Sequence, residues 1–328
     1  MNDAAAENPD RLPIVDLQNF AFDEAGADRI AAELDEIFRT IGFCYIANTG
    51  VAPELVDGIF EASRRFHAMP AEAKNAIAIN EFHRGYMAPK TSVIVTSSVA
   101  KVTKPNNSES FMLMHEVAPD DPEWGKPLQG PNQWPADLPG FREAVTAYNG
   151  ALETMSRRFT HLIARALGLD PAGLDSYFEK PTTYLRMLHY PSQPDAAPDE
   201  FGSAPHTDYG YITVLLQDGV GGLEVRRKDG NWLRATPVPG TFVVNVGDML
   251  SRWTNGRWQS TPHRVKNVSS VDRYSVPFFF DPAMSNTIAC LPTCIEPGES
   301  PRFEPVLYGD YVMERLNKNY QYRHAATG

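Results

Sequence analysis

After Pro181 the chain breaks into short β-rich segments, at 183–190, 211–217, 222–227, 231–236, 241–246, 262–267 and 274–280. Turn-forming pairs sit between and around them: Asp218-Gly219, Gly221-Gly222, Asp229-Gly230, Pro239-Gly240, Gly247-Asp248 and Asn255-Gly256. Many short strands at this spacing predict a jelly roll or barrel. The front half is different. Ile30, Leu34, Ile37 and Phe38 recur at helical spacing within 24–40, and Leu55, Ile59 and Phe66 do so within 53–68. A longer stripe from Leu152 to Leu167 predicts a helix over 140–167, with Gly168 as its stop. Residues 13–17 and 43–46 read as short strands, the Pro- and Asn-rich stretch 80–135 as irregular, and 307–322 as helix. The expected fold is mainly β with flanking helices.

Composition removes several function classes. The net charge of −11 argues against broad binding to nucleic acid or to an anionic membrane surface. A small anionic substrate stays compatible with it, because one buried Arg can capture a carboxylate on an acidic protein. Three cysteines exclude a disulfide scaffold and a four-Cys zinc site, and they fit a reducing compartment. The polar, acidic start of the chain has no secretory h-region, and no apolar run approaches a membrane span. The sequence therefore predicts a soluble, cytoplasmic protein; its oligomeric state is open.

The chemistry concentrates in the β half. In His206-Thr207-Asp208 an imidazole and a carboxylate are two residues apart, so on a strand they share one face while Thr207 turns away. A second imidazole, His263, opens another predicted strand. Two His and one carboxylate on facing strands can occupy one face of an octahedral metal and leave the other positions open, as in non-haem Fe(II) oxygenases. Alone, His-x-Asp is equally consistent with an ordinary hydrogen-bonded pair. Ten residues after His263, Arg273 and Ser275 share a face of the next strand. A guanidinium fork beside a hydroxyl suits a terminal carboxylate. An Arg facing a β core needs a counter-charge, and a bound dicarboxylate would supply it.

With these residues in place, the chain resembles the isopenicillin N synthase-like branch of the 2-oxoglutarate/Fe(II)-dependent dioxygenases. The matching stretches run in the family's order: Leu12-Pro13-Ile14-Val15-Asp16-Leu17, Arg84-Gly85-Tyr86, Leu185 to Pro191, His206-Thr207-Asp208-Tyr209-Gly210, Val244-Asn245-Val246-Gly247-Asp248, Ser260 to Val265, and Arg273-Tyr274-Ser275. The resemblance covers about residues 12–320. It implies a double-stranded β-helix (jelly-roll) core wrapped by N-terminal and C-terminal helices. It implies one oxygenase domain over 1–328: an N-terminal α/β-containing region at 12–135, the catalytic core at 181–282 and the helix at 307–322. By this likeness His206, Asp208 and His263 are the iron ligands. Arg273, Ser275 and Tyr190 hold the distal carboxylate of 2-oxoglutarate. Many plant relatives carry Asn where this chain has Leu188.

The implied activity is a dioxygenase that uses Fe(II), 2-oxoglutarate and O2 to oxidise, by hydroxylation, a small molecule. Alternatives are an Fe(II)/O2 oxidase independent of 2-oxoglutarate and a non-catalytic carboxylate-binding jelly roll. Arg186 shares a strand face with Tyr190 and reads as a pocket cation or as the partner of a surface acid. Phe279, Leu215, Leu223 and Val265 are candidate pocket walls. Residues 80–115 and the C-terminal helix are a candidate lid, bringing Tyr308, Tyr311 and Met313 into question as substrate contacts.

Overall fold

The computed structural model describes residues 11–18, 24–320 and 323. Its strands are β1 (Ile14–Asp16), β2 (Phe43–Ala47), β3 (Gly85–Met87), β4 (Glu109–Met114), β5 (Thr182–Tyr190), β6 (Ser203–His206) and β7 (Ile212–Gln217). They continue with β8 (Leu223–Arg226), β9 (Trp232–Arg234), β10 (Thr241–Val246), β11 (His263–Val265), β12 (Arg273–Asp281), β13 (Thr287–Ile288) and β14 (Val306–Leu307). The helices are α1 (Glu24–Thr40), α2 (Pro53–His67), α3 (Ala71–Asn75), α4 (Phe141–Ala166), α5 (Asp248–Trp253) and α6 (Tyr308–Asn319).

Eight strands form one sheet in the order β1-β2-β10-β7-β12-β5-β4-β3, and four form a smaller one, β6-β11-β8-β9. This is the jelly-roll plan, with its two sheets facing each other and not closed into a barrel. Strand periodicity explains the layering, because alternate side chains point to opposite faces. On β12, Val276, Phe278 and Phe280 are fully buried in the core that the large sheet shares with α1, α2 and α4. Arg273, Ser275, Pro277 and Phe279 point the other way, into a chamber between the sheets. The same sorting puts Leu185 and Met187 of β5 in the helix-side core and Arg186, Leu188 and Tyr190 in the chamber. A second apolar cluster, including Phe43, Leu223, Val225 and Val243, packs the space between the sheets.

Three expectations need correction. Residues 80–135 are not wholly irregular: β3 and β4 lie there and extend the large sheet. Every residue of β4 is buried, so it lacks the half-polar alternation that marks a strand. Gly247-Asp248 is not a turn but the start of α5, with Gly247 at the N-cap. The strand bearing His206 ends at that residue, so Asp208 lies in the loop beyond it. The C-terminal helix ends at Asn319; residues 321 and 322 of its expected range lie outside those described.

A buried ionic network braces the outer side of β5. Glu109 accepts from Lys74 Nζ at 2.7 Å, Tyr86 Oη at 2.5 Å and His189 Nδ1 at 2.8 Å, and His189 Nε2 meets Asp272 at 2.9 Å. Burial alone would raise the Glu109 pKa, but these partners override it and hold it at about 2. His189 is pushed up, its two carboxylate partners outweighing burial. Glu109 therefore contributes stability above its unfolded value of 4.5 that is lost as pH falls toward about 2. The His189 contribution is present below 6.5 and is lost as pH rises through its higher folded value. Thermal melts of Glu109→Gln against wild type are expected to show the largest deficit near neutral or mildly acid pH. That deficit should shrink on acidification through pH 4; a constant deficit would contradict the linkage.

Candidate metal centre

His206 closes β6 and His263 opens β11, and the two are cross-strand partners in the small sheet. The register slips between His263 and Val265, a bulge of the kind that re-aims side chains near active sites. The imidazoles are neighbours with ring centroids 4.3 Å apart. Asp208 folds back from the loop, so the expected His–Asp juxtaposition holds although the strand geometry behind it does not. His206 Nε2 and His263 Nε2 lie 3.7 and 3.6 Å from Asp208 Oδ1. The three potential ligand atoms all fall within 4.8 Å of one another.

Backbone and polar neighbours set the direction of each ligand. His206 Nδ1 bonds the Ala204 carbonyl at 2.8 Å and His263 Nδ1 bonds the Thr261 carbonyl at 3.1 Å. Nδ1 must donate to a carbonyl, which leaves both Nε2 lone pairs facing the common centre. Asp208 Oδ2 accepts from Thr213 Oγ1 at 2.6 Å and Asn245 Nδ2 at 2.8 Å, which leaves Oδ1 for the centre. Burial would raise the Asp208 pKa, but the two imidazoles and these two bonds hold it below the usual range. Burial, then the neighbouring His263 and Arg186, pushes His206 down to about 4. Both groups thus carry the protonation state a metal ligand needs. Two nitrogens and one carboxylate oxygen, with one side open to the chamber, suit Fe(II) by donor type.

Sequence reasoning missed Thr213 and Asn245. Asn245 carried a legible signal: it is the one amide in the apolar run Thr-Phe-Val-Val-Asn-Val of β10, on the face opposite Val244. Gly210 and Gly247 also have a packing role beyond the turn and motif positions read for them in the sequence. A Cβ on Gly247 would lie 2.2 Å from the Gly210 carbonyl oxygen, and Gly210 itself packs against the Asp281 carboxylate. Gly247 has φ −90°, which Ala adopts freely, so the obstacle is space alone. Gly247→Ala is expected to destabilise the fold by about 1–3 kcal/mol. It should also weaken metal binding by displacing the loop after Asp208. Calorimetry with and without Co(II) checks both effects.

Arg273 is fully buried at the other end of the chamber. Among the described residues its guanidinium reaches only neutral groups: Ser275 Oγ at 3.3 Å, Gln217 Oε1 at 3.4 Å and the face of Tyr190 at 4.9 Å. Its Nε has no partner among the described residues. Sequence reasoning placed Ser275 and Tyr190 here but missed Gln217. A buried cation with long neutral contacts and an orphaned N–H fits a carboxylate ligand. Leu215, Leu223 and Val265 line the chamber with Arg273. Arg186 and Phe279 border both this chamber and an outer one lined by Ser92, Tyr209 and Asn319. Of the C-terminal candidates, Tyr308 is fully buried in the helix-side core, and Tyr311 and Met313 pack against that core. Asn319 and Tyr320, from the end of α6 and just after it, line the outer chamber instead.

Comparisons with known proteins agree with this geometry. Residues 181–282 match the 2OG-Fe(II) oxygenase superfamily, and residues 12–137 match the non-haem dioxygenase in morphine synthesis N-terminal family. A 2-oxoglutarate-Fe(II) type oxidoreductase of Emericella nidulans is 35% identical, over 95% of this chain and 91% of its own. The crystal structure of a full-length Neurospora crassa protein in complex with α-KG and 5-formyluracil is 30% identical with a TM-score of 0.84, covering 97% of this chain and 100% of that one. JOX2 in complex with 2OG, Fe and JA is 28% identical with a TM-score of 0.77, covering 95% and 89%. On its sequence and its fold alike, the chain belongs to the isopenicillin N synthase-like family of 2-oxoglutarate/Fe(II)-dependent oxygenases.

Proposed function

We propose that this oxygenase holds Fe(II) through His206 Nε2, Asp208 Oδ1 and His263 Nε2, and that Arg273, Ser275 and Tyr190 anchor the distal carboxylate of 2-oxoglutarate. The observation that carries the reading is one chamber bordered by both the convergent His-Asp-His atoms and a buried guanidinium that has no carboxylate partner among the described residues. Bound Fe(II) supplies O2 activation coupled to conversion of 2-oxoglutarate to succinate and CO2, and the product is an oxidised, by our reading hydroxylated, small molecule. The chain's own part is positioning and shielding. Thr213 and Asn245 fix the Asp208 carboxylate, and the Ala204 and Thr261 carbonyls fix the two imidazoles. Leu215, Leu223 and Val265 wall the cosubstrate end against water, while Arg186 and Phe279 face the primary substrate.

The whole chain acts here as one domain, since a single apolar core joins α1, α2 and α4 to the large sheet. The ligands in complexes of the similar structures, thymine, 5-formyluracil and JA, support a small-molecule substrate. No nucleic acid or membrane partner belongs to this reading, and its three free cysteines suit a cytoplasmic setting. Among the described residues no helix is long and apolar enough to cross a membrane. Anaerobic addition of Fe(II) and 2-oxoglutarate to the protein is expected to produce a visible metal-to-ligand charge-transfer band. Wild-type protein that develops no band at saturating ligand would overturn the assignment.

A further inference from the structure

We propose that the primary substrate is a small carboxylate with a flat apolar body, captured by Arg186 and laid against Phe279. This rests on the oxygenase site described above and adds the substrate's chemical class.

The chamber wall formed by β5 and its neighbour β12 carries two cations, Arg186 and Arg273. Tyr190 at the end of β5 is the cross-strand partner of Arg273. Arg186 lies four residues earlier on the same face, about 13 Å along the strand. Arg186 is partly exposed where Arg273 is fully buried, but its hydrogen-bond partners are likewise neutral. Its Nε donates to Ser110 Oγ at 3.0 Å and one Nη reaches Met87 Sδ at 3.5 Å. Among the described residues no carboxylate lies within 4.0 Å of it, and the alternative of a surface acid partner falls away. A guanidinium has five N–H donors, so most of its fork is left to be filled. It lines both chambers together with His206 and Asp208, which places it beside the metal centre.

The remaining polar groups of the outer chamber have largely used up their acceptors. Asn319 Oδ1 takes the backbone N–H groups of Val95 and Thr96, and Asn106 Oδ1 takes that of Ala204. Asn106 Nδ2 donates to Ser92 Oγ, which frees the Ser92 hydroxyl proton to donate. Among the described residues, the one carboxylate lining the chamber is Asp208, which already faces two imidazoles. What the chamber offers a ligand is positive charge and donors, so the ligand must bring acceptors. The same wall is aromatic beside Arg186: Tyr184, two residues earlier on β5, stacks on its cross-strand partner Phe279 with centroids 4.2 Å apart and planes 15° from parallel. A flat apolar body fits that surface. Because Arg186 borders the centre itself, the oxidised carbon must lie a short distance from the carboxylate.

The test uses the anaerobic protein with Fe(II) and 2-oxoglutarate and follows its charge-transfer band. The probes are benzoate, phenylacetate, cinnamate and indole-3-acetate, each with its neutral amide twin. At least one carboxylate is expected to perturb the band at a half-saturation tenfold or more below that of its amide. Arg186→Gln should erase that preference and Arg186→Lys should keep part of it. Raising 2-oxoglutarate tenfold should not displace the probe; if it does, the probe sits on Arg273 and the proposal fails. Equal response to carboxylates and amides, no response to any carboxylate, or a preference that survives Arg186→Gln would each overturn it. A protein that forms no band with 2-oxoglutarate fails at the earlier assignment, which separates the two outcomes.

Discussion

Asp208→Ala is expected to reduce succinate formation by at least about a thousandfold, and to lower the thermal stability of the metal-free protein as well. The two halves of this expectation have one cause. Asp208 is a buried carboxylate, and burial works against its charge. It is kept ionised by two imidazoles and by bonds from Thr213 and Asn245. Removing it leaves the buried Thr213 hydroxyl and Asn245 amide without their acceptor, so the apo form loses stability too. The proposed metal site loses the one carboxylate of its three convergent groups. Thr213→Val with Asn245→Ala makes the complementary test, because the carboxylate stays but is free to turn. Supporting partners of metal ligands typically matter by about 10–100-fold in affinity, which is the loss expected for Co(II) in that double variant. An Asp208→Ala protein that binds Co(II) like wild type, or that still releases succinate, would remove Asp208 from the centre.

What the sequence made legible follows the physics of each element. Strands with one apolar and one functional face were readable, because a period of two sorts Arg273, Ser275 and Phe279 away from Val276, Phe278 and Phe280. β4 was not, since burial on both faces leaves no alternation. β6 escaped because it is four residues long and contains Pro205. His206 and Asp208 were paired for a reason that fails in detail: the loop, not the strand, brings the carboxylate back. The supporting groups were harder. Gln217 reads as an ordinary strand-end polar residue until the large sheet places it beside Arg273. Asn319 reads as a helix end until the loop at 92–97 is seen to hang its backbone N–H groups on that amide. Such roles depend on contacts between segments far apart in the chain, which local pattern does not encode.

Arg273→Leu is expected to raise the dissociation constant for 2-oxoglutarate by roughly 30- to 1,000-fold, the range found when one partner of a desolvated charge pair is removed. Fe(II) binding should stay near wild type, because Arg273 is not among the convergent ligand atoms. The apo protein, in contrast to Asp208→Ala, should be no less stable. Arg273 has no solvent exposure, its bonds to Ser275 and Gln217 are long, and its Nε is unsatisfied. An apolar side chain of similar volume relieves that burden, since replacing a poorly paired buried ion by a well-packed apolar residue is often neutral or stabilising. Arg273→Lys keeps the charge but not the planar fork, and should recover only part of the affinity. The alternative is that Arg273 is a structural strut whose neutral contacts hold β12 to β7. In that case Arg273→Leu would lower the melting temperature of the apo protein and leave 2-oxoglutarate affinity intact in the fraction that folds. Isothermal titration of 2-oxoglutarate beside apo thermal melts separates the two, because loss of a binding cation shows in the titration and loss of a strut shows in the melt.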